Sequence, residues 1–264
     1  MEAEVILEAK NLTKRYSLRS HPWSSTQSWV EAVKDIHLTL KTGECVGLVG
    51  ESGCGKSTLA RLLCGLIPPT AGTVLYQGRP LSQLRGESLR QFRRSVQIIF
   101  QDSTASLNPL MRIGQIIAEP LRIHHLANGE RLRQRVSSLL GEVGIDPSWV
   151  NRFPSTLSGG QRQRVGIARA LALSPKILVC DEPVSSLDLS VQAQILGLLA
   201  DLQARRGVGL LFISHNLSVV GALADRILVM RAGQVIEEGT NPDLFRDPKQ
   251  PYTRLLVDLA FQRV

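Results

Sequence analysis

Apolar and polar positions alternate along residues 4–16, EVILEAKNLTKRY, and again along 30–40, VEAVKDIHLTL. That period is the one a strand shows when one face is buried, so two half-exposed antiparallel strands are predicted. The stretch between them, SLRSHPWSSTQSW, is polar and unperiodic and predicts a loop, with Trp23 and Trp29 anchoring it by packing. At 45–50 the alternation gives way to the continuous apolar run CVGLVG, followed by the helical pattern KSTLARLLCGL. A buried strand feeding a helix fits this order. Residues 73–84 predict short strands and a turn, and SVQIIFQD at 95–102 a further buried strand.

Apolar residues recur at helical spacing through 108–151, with Pro120 and the tripeptide NGE as breaks, which predicts a helical insertion. Downstream, KILVCDEP and VGLLFISH read as buried strands separated by the helical SVQAQILGLLADLQARR, an alternation that implies a parallel sheet with helices on its faces. RILVMRAGQVIEEG predicts a hairpin and PYTRLLVDLAF a terminal helix. The expected fold class is α/β: a parallel sheet core, an N-terminal antiparallel β subdomain and an inserted helical subdomain. One domain over 1–264 is expected, with the helical part at approximately 103–170 and a helical tail at approximately 240–264.

Composition narrows the function classes. Lys plus Arg exceed Asp plus Glu by 31 to 23, for a formal charge of +8. The arginines are spread, with small clusters at Arg90, Arg93, Arg94 and at Arg131, Arg133, Arg135, and the one aromatic among them, Phe92, does not make the run of interleaved rings that a base-stacking platform requires. They read as solvated helix faces, and no nucleic-acid partner is expected. No apolar run approaches the roughly 18 residues of a membrane-spanning helix, and the start MEAEVILEAK has acids where a secretory signal has basic residues, so a soluble cytoplasmic chain is expected. Cys45, Cys54, Cys64 and Cys180 form no CxxC pair and read as reduced thiols, without a zinc or iron-sulfur site. His21, His37, His124 and His125 lack ligand spacing.

Five stretches carry chemistry. GESGCGKS, Gly50 to Ser57, matches GxxxxGK[ST] between a predicted strand and a predicted helix, the setting in which backbone N–H groups and the helix dipole cradle phosphate. Lys56 is then placed for the β- and γ-phosphates and Ser57 for Mg²⁺. ILVCDE puts Asp181 and Glu182 where a buried strand meets solvent: Asp181 to hold Mg²⁺ through its water shell, Glu182 to polarise attacking water as a general base. His215 ends the strand LLFISH and Gln101 ends VQIIFQ, which suits them to a γ-phosphate contact and a metal-bound water respectively. LSGGQ, Leu157, Ser158, Gly159, Gly160 and Gln161, opens a helix and reads as a second anion site.

Taken in order, the phosphate loop, Gln101, LSGGQ, ILVCDEP, SSLD and His215 make the chain resemble the ATP-binding cassette (ABC) family over nearly its whole length. The resemblance implies an ATPase converting ATP and water to ADP and phosphate, with ATP and Mg²⁺ as the bound groups. It implies that Gly50, Glu51, Ser52, Gly53, Cys54, Gly55, Lys56, Ser57 and Thr58 hold ATP in cis, with Tyr16 stacking on adenine. Glu182, His215 and Gln101 become the catalytic residues, with Ser57, Gln101 and Asp181 around Mg²⁺. LSGGQ caps the γ-phosphate held by another cassette, and Asp188 of SSLD communicates across the dimer, with Ser186 where alanine is commoner.

FQDSTASLNPLMRIGQIIAEPL, ESGCGKSTLARLLCGL and PYTRLL more narrowly resemble the second ATPase of dipeptide, oligopeptide and nickel importers. That implies a peripheral protein on the cytoplasmic face of a bacterial cell membrane, working with a second, different cassette, two integral permease subunits and an extracytoplasmic solute-binding protein. The solute is nickel or another metal chelate, or di- and oligopeptides. The absence of a cysteine after Cys180 implies no iron-sulfur cluster, and the end at Val264 tilts the expectation toward a nickel-type member. The segment after Gln101, with Ala105 and Leu107, is expected to receive the permease. The alternative is a cassette ATPase acting on ribosomes or DNA.

Overall fold

The computed structural model describes residues 4–18, 28–101 and 106–261. The chain divides into two compact units, Met1–Leu84 with Leu211–Val264, and Arg85–Leu210.

In the first unit β1 (Val5–Leu18) and β2 (Ser28–Lys41) pair antiparallel, and β4 (Ala71–Tyr76) and β5 (Arg79–Pro80) extend that sheet in the order β2-β1-β4-β5. Ile6, Leu12, Val33, Ile36 and Leu40 face inward at 0–1% exposure, the buried half of the alternation seen in the sequence. Trp29 corrects the loop expectation: it lies in β2 opposite Ser17 and is 55% exposed, because strand pairing runs on past the last apolar positions. Trp23 and His21 fall outside the described residues.

The same unit holds β3 (Cys45–Val49), which is buried at every position and feeds α1 (Lys56–Leu63). Strand β9 (Arg226–Arg231) runs parallel to β3 and forms a hairpin with β10 (Gln234–Thr240). Arg226 ties these strands to the antiparallel sheet: Nε meets Glu44 at 2.9 Å, one terminal nitrogen donates to the Thr39 carbonyl at 2.7 Å, and the other pairs with Glu238. The unit closes with α7 (Leu217–Gly221), α8 (Asn241–Arg246) and α9 (Pro251–Phe261).

In the second unit α2 (Gly86–Ser95) precedes β6 (Val96–Ile99), shorter than the strand predicted there, and β6 pairs parallel with β7 (Ile177–Asp181). The insertion contains α3 (Ile113–Ile123), α4 (Gly129–Glu142), two 3-10 turns and α5 (Gly159–Leu171). Pro120 does not break α3 as predicted. It lies inside the helix, where burial of Ile116, Ile117 and Leu121 outweighs the one lost backbone bond, and the His124 N–H still donates to the Pro120 carbonyl at 3.1 Å. The break at NGE stands, with Asn128 as N-cap of α4.

Helix α6 (Leu189–Arg206) is locked to α4 by a two-pronged pair, Arg206 Nε and a terminal nitrogen to the Glu142 carboxylate at 2.6 and 2.5 Å. Strand β8 (Gly209–Ser214) leaves this unit at Leu210 and ends in the first, all six residues buried. A strand buried at every position belongs to a sheet covered on both faces, which is why its sequence lacked alternation.

Candidate active site

In the first unit Gly55 sits at the N-cap of α1 with φ 111°, and a Cβ there would lie 1.9 Å from the Ala32 carbonyl oxygen of β2. Both the left-handed conformation and the close approach demand glycine. The first turn of α1 contains no acid, so its N-terminal N–H groups present unopposed positive potential. Lys56 is 4% exposed and folds back, its Nζ donating to the carbonyls of Gly50 at 2.6 Å and Glu51 at 2.8 Å. The Cys54 Sγ lies 3.9 Å from the same nitrogen, and burial pushes this thiol up, so it stays protonated.

Ser57 and Thr58 are half-buried in the first helical turn. Tyr16, near the end of β1, is 39% exposed, with Lys14 Nζ 5.3 Å from its ring centroid. His215 is exposed one residue beyond β8.

In the second unit Asp181 ends β7 at 4% exposure, and Glu182 follows with φ 48°, a left-handed conformation uncommon for a residue other than glycine and found where surrounding structure fixes geometry. The turn is held by Ser185, whose hydroxyl donates to the Glu182 carbonyl at 3.2 Å. Gln101 lies two residues past β6, and its Nε2 donates to Glu182 Oε2 at 3.1 Å. Thus the structure brings together two of the three residues expected to be catalytic.

Ser158 is the N-cap of α5: its Oγ accepts from the Gln161 N–H at 3.3 Å, while Gln161 Oε1 accepts from the Ser158 N–H at 2.9 Å. The N–H groups of Gly159 and Gly160, in the first helical turn, have no intrahelical acceptor. Leu157 is buried, and a Cβ on Gly160 would lie 2.4 Å from Val191 Cγ1, so glycine lets the start of α5 press on α6. Asp188 caps α6, accepting from the Val191 N–H at 2.9 Å and the Ser190 hydroxyl at 2.7 Å. These bonds, the Val191 one foremost, hold its carboxyl below the usual range.

The donor set fits ATP with Mg²⁺. In the first unit a glycine-required loop capped by a helix N-terminus suits phosphate oxygens, with the Ser57 hydroxyl in the first turn; in the second unit Gln101 and Asp181 each carry an oxygen of the hard kind that Mg²⁺ prefers. Among the described residues no cluster of His, Cys, Asp and Glu forms another metal site.

The segment after Gln101 requires a correction. Residues 102–105, with Ala105, lie outside the described part, and Leu107 is 1% exposed, a core residue rather than a docking contact. Arg169 of α5 holds the adjacent Ser106 carbonyl at 2.6 Å. The second unit instead offers a groove of 660 Å³ lined by α3, α4 and the 3-10 turn Pro147–Asn151, with Arg112, Arg122 and Arg133 around Leu132, Val136 and Val150. No motif marks it, since its residues are scattered over three elements.

Comparison with known proteins agrees with this chemistry. Residues 33–185 match the ABC transporter family. The chain is 45% identical over 258 residues to the oligopeptide transport ATP-binding protein OppF of Escherichia coli, covering 96% of this chain and 77% of OppF. It is also 45% identical over 255 residues to the glutathione import ATP-binding protein GsiA of Pectobacterium atrosepticum, covering 97% of this chain and 41% of GsiA. The solved dimeric post-hydrolysis state of the ATP-binding cassette MJ0796 bound to ADP and Pi superposes with a TM-score of 0.78 at 31% identity, over 89% of this chain and 99% of that one. A glycine-built phosphate loop, an acid pair at a strand end and a capped LSGGQ helix, in a chain this similar to such proteins, have one reading: the chain belongs to the ABC transporter family, as an ATP-hydrolysing cassette of its importer branch with the α/β P-loop NTPase fold.

Proposed function

We propose that this chain energises uptake of di- or oligopeptides as one of two different cassettes seated peripherally on the cytoplasmic side of two permease subunits supplied by an extracytoplasmic binding protein. The observation that carries the peptide reading is similarity along 96% of the chain to an oligopeptide transport ATP-binding protein. No helix among the described residues is long and apolar enough to cross a membrane, which agrees with permease subunits on separate chains. Residues 1–264 act as one cassette, its helical part within approximately 103–170 and its tail within approximately 240–264.

In the proposed mechanism the backbone from Gly50 to Thr58 and the Lys56 ammonium bind the ATP phosphates, and Tyr16 stacks on adenine. Glu182 takes the proton of the attacking water as its oxygen bonds to the γ-phosphorus, and the bond from that phosphorus to the ADP oxygen breaks. Gln101, bonded to Glu182, orients the carboxylate without adding charge, and His215 donates toward the γ-phosphate. Ser57, Gln101 and Asp181 would hold Mg²⁺, which when bound would supply neutralisation of the phosphate charge. Leu157 to Gln161 serve the nucleotide of the partner cassette, and Asp188 reports across that interface. The arginine-lined groove, with no carboxylate in its lining, seats an acidic segment of the permease.

The test is isolation of the tagged chain from bacterial membranes together with uptake of a labelled dipeptide and of nickel. Co-purifying permease subunits and peptide uptake dependent on the chain are expected. Nickel uptake alone moves the solute assignment, and recovery of ribosomes or DNA in place of membrane subunits overturns the transport role.

A further inference from the structure

The phosphate loop is gripped by a residue far from it in sequence. The peptide unit between Gly50 and Glu51 is held at both ends: its carbonyl accepts from Lys56 Nζ at 2.6 Å, and its N–H donates to the Tyr252 hydroxyl at 3.1 Å. Tyr252 is 6% exposed in the first turn of α9. Its position is fixed from two strands. Glu237 of β10 accepts the N–H groups of Lys249 at 2.6 Å and Gln250 at 2.9 Å, anchoring the entry to the helix, and the Arg231 guanidinium at the end of β9 lies 4.7 Å from the Tyr252 ring centroid. Burial pushes the phenol above its usual range and the Glu51 carboxylate adds to this, against the opposing pull of the Glu51 N–H. The group is therefore a neutral hydroxyl at physiological pH, as an acceptor of that N–H.

The Lys56 ammonium has three donors, two of them on the Gly50 and Glu51 carbonyls, so a bound phosphate draws on the same group that holds one end of this peptide. The other end stays pinned. We propose that Tyr252 is a positioning residue of the nucleotide site, its hydroxyl keeping the Gly50–Glu51 peptide in the orientation that opens the loop to phosphate. The helix PYTRLLVDLAF thereby becomes part of the ATP-binding apparatus. This rests on the assignment of Gly50–Ser57 as the phosphate loop. Preorganisation of this kind strengthens binding by removing an ordering cost rather than by adding a contact.

Tyr252→Phe deletes only the hydroxyl and keeps the ring beneath Arg231. In the full chain, its Kd for MgATP should rise roughly three- to ten-fold, the range of one hydrogen bond, while the unfolding midpoint of nucleotide-free protein falls by no more than the few degrees one hydrogen bond is worth. In the assembled transporter KM should rise while kcat holds. Glu237→Ala should act in the same direction, and the double variant should bind no more weakly than the worse single one, because both act through one bond. The Glu51 amide of nucleotide-free wild type should be protected from hydrogen exchange, a measurement needing no variant. Wild-type affinity in Tyr252→Phe beside lost affinity in Lys56→Ala overturns the role of Tyr252. So does unprotected exchange at Glu51. Wild-type affinity in Lys56→Ala instead overturns the phosphate-loop assignment, and the role of Tyr252 with it.

Discussion

Gln101 reaches Glu182 across 81 residues of sequence, its side-chain amide donating to the carboxylate at 3.1 Å. An amide donor fixes the direction of that carboxylate, and the left-handed backbone at Glu182, φ 48°, fixes its root. A carboxylate held at both ends keeps one direction, as the general base proposed for Glu182 requires.

Glu182→Gln preserves this shape and removes the basicity. The variant should bind MgATP as wild type does and lose turnover by about 10²- to 10⁴-fold, the usual worth of a general base. Phosphate release from the assembled transporter measures it. Equal turnover in the two proteins would take Glu182 out of the mechanism.

Ser158 serves α5 through its capping box, and the N–H groups of Gly159 and Gly160 point from the same helix start. Ser158→Arg should therefore cost about 1 kcal/mol of helix stability through the lost cap. It should leave ATP binding by this chain intact and stop hydrolysis in the assembled transporter, where the arginine fills the space a phosphate of the partner's nucleotide must enter. Nucleotide affinity and steady-state hydrolysis, measured on the same preparation, separate the two effects. Normal hydrolysis would mean the LSGGQ helix caps no nucleotide.

Legibility followed the strength of each element's own signal. The strands of CVGLVG, KILVCDEP and VGLLFISH were readable because burial on both faces leaves a continuous apolar run, and the phosphate loop because Gly55 admits no other residue. Helix α2 gave no apolar period because Phe92 is its single buried residue. Pro120 misled because local propensity was overridden by the apolar face packed around it. The contact of Tyr252 with Glu51 joins residues 201 apart and has no sequence pattern at all. PYTRLL marked a subfamily without revealing which atom touches what.

Asp188 links stability to pH. Its carboxyl titrates below the usual range in the folded chain, chiefly through the Val191 N–H, so its contribution is complete above the unfolded value near 3.9 and is lost as pH falls through the lower folded value. Asp188→Ala should be less stable than wild type at neutral pH, and the gap should begin to narrow only as pH falls below about 4, closing once it passes the lower folded value. Urea unfolding of both proteins across that range tests the sign. A gap that widens in acid would contradict the capping role.

Leu107 and the arginine groove separate a folding defect from a docking defect. Leu107 is 1% exposed next to Ser106, whose carbonyl the α5 residue Arg169 holds at 2.6 Å. Leu107→Asp places an unpaired charge in the core, which costs several kcal/mol, so loss of assembly there reports unfolding. Arg122 and Arg133 line the groove from two different helices, and reversing either charge leaves the core packing in place. Arg122→Glu and Arg133→Glu should each fold normally, bind MgATP with wild-type affinity and recover less permease on co-purification, with peptide uptake falling in proportion. The double variant should be worse than either single one, because the two positions repel the same acidic segment. A salt series adds a second reading: association of the wild-type chain should weaken as ionic strength screens the attraction, and that dependence should shrink in the variants. Full co-purification and uptake in the double variant would show that the permease docks elsewhere on the cassette.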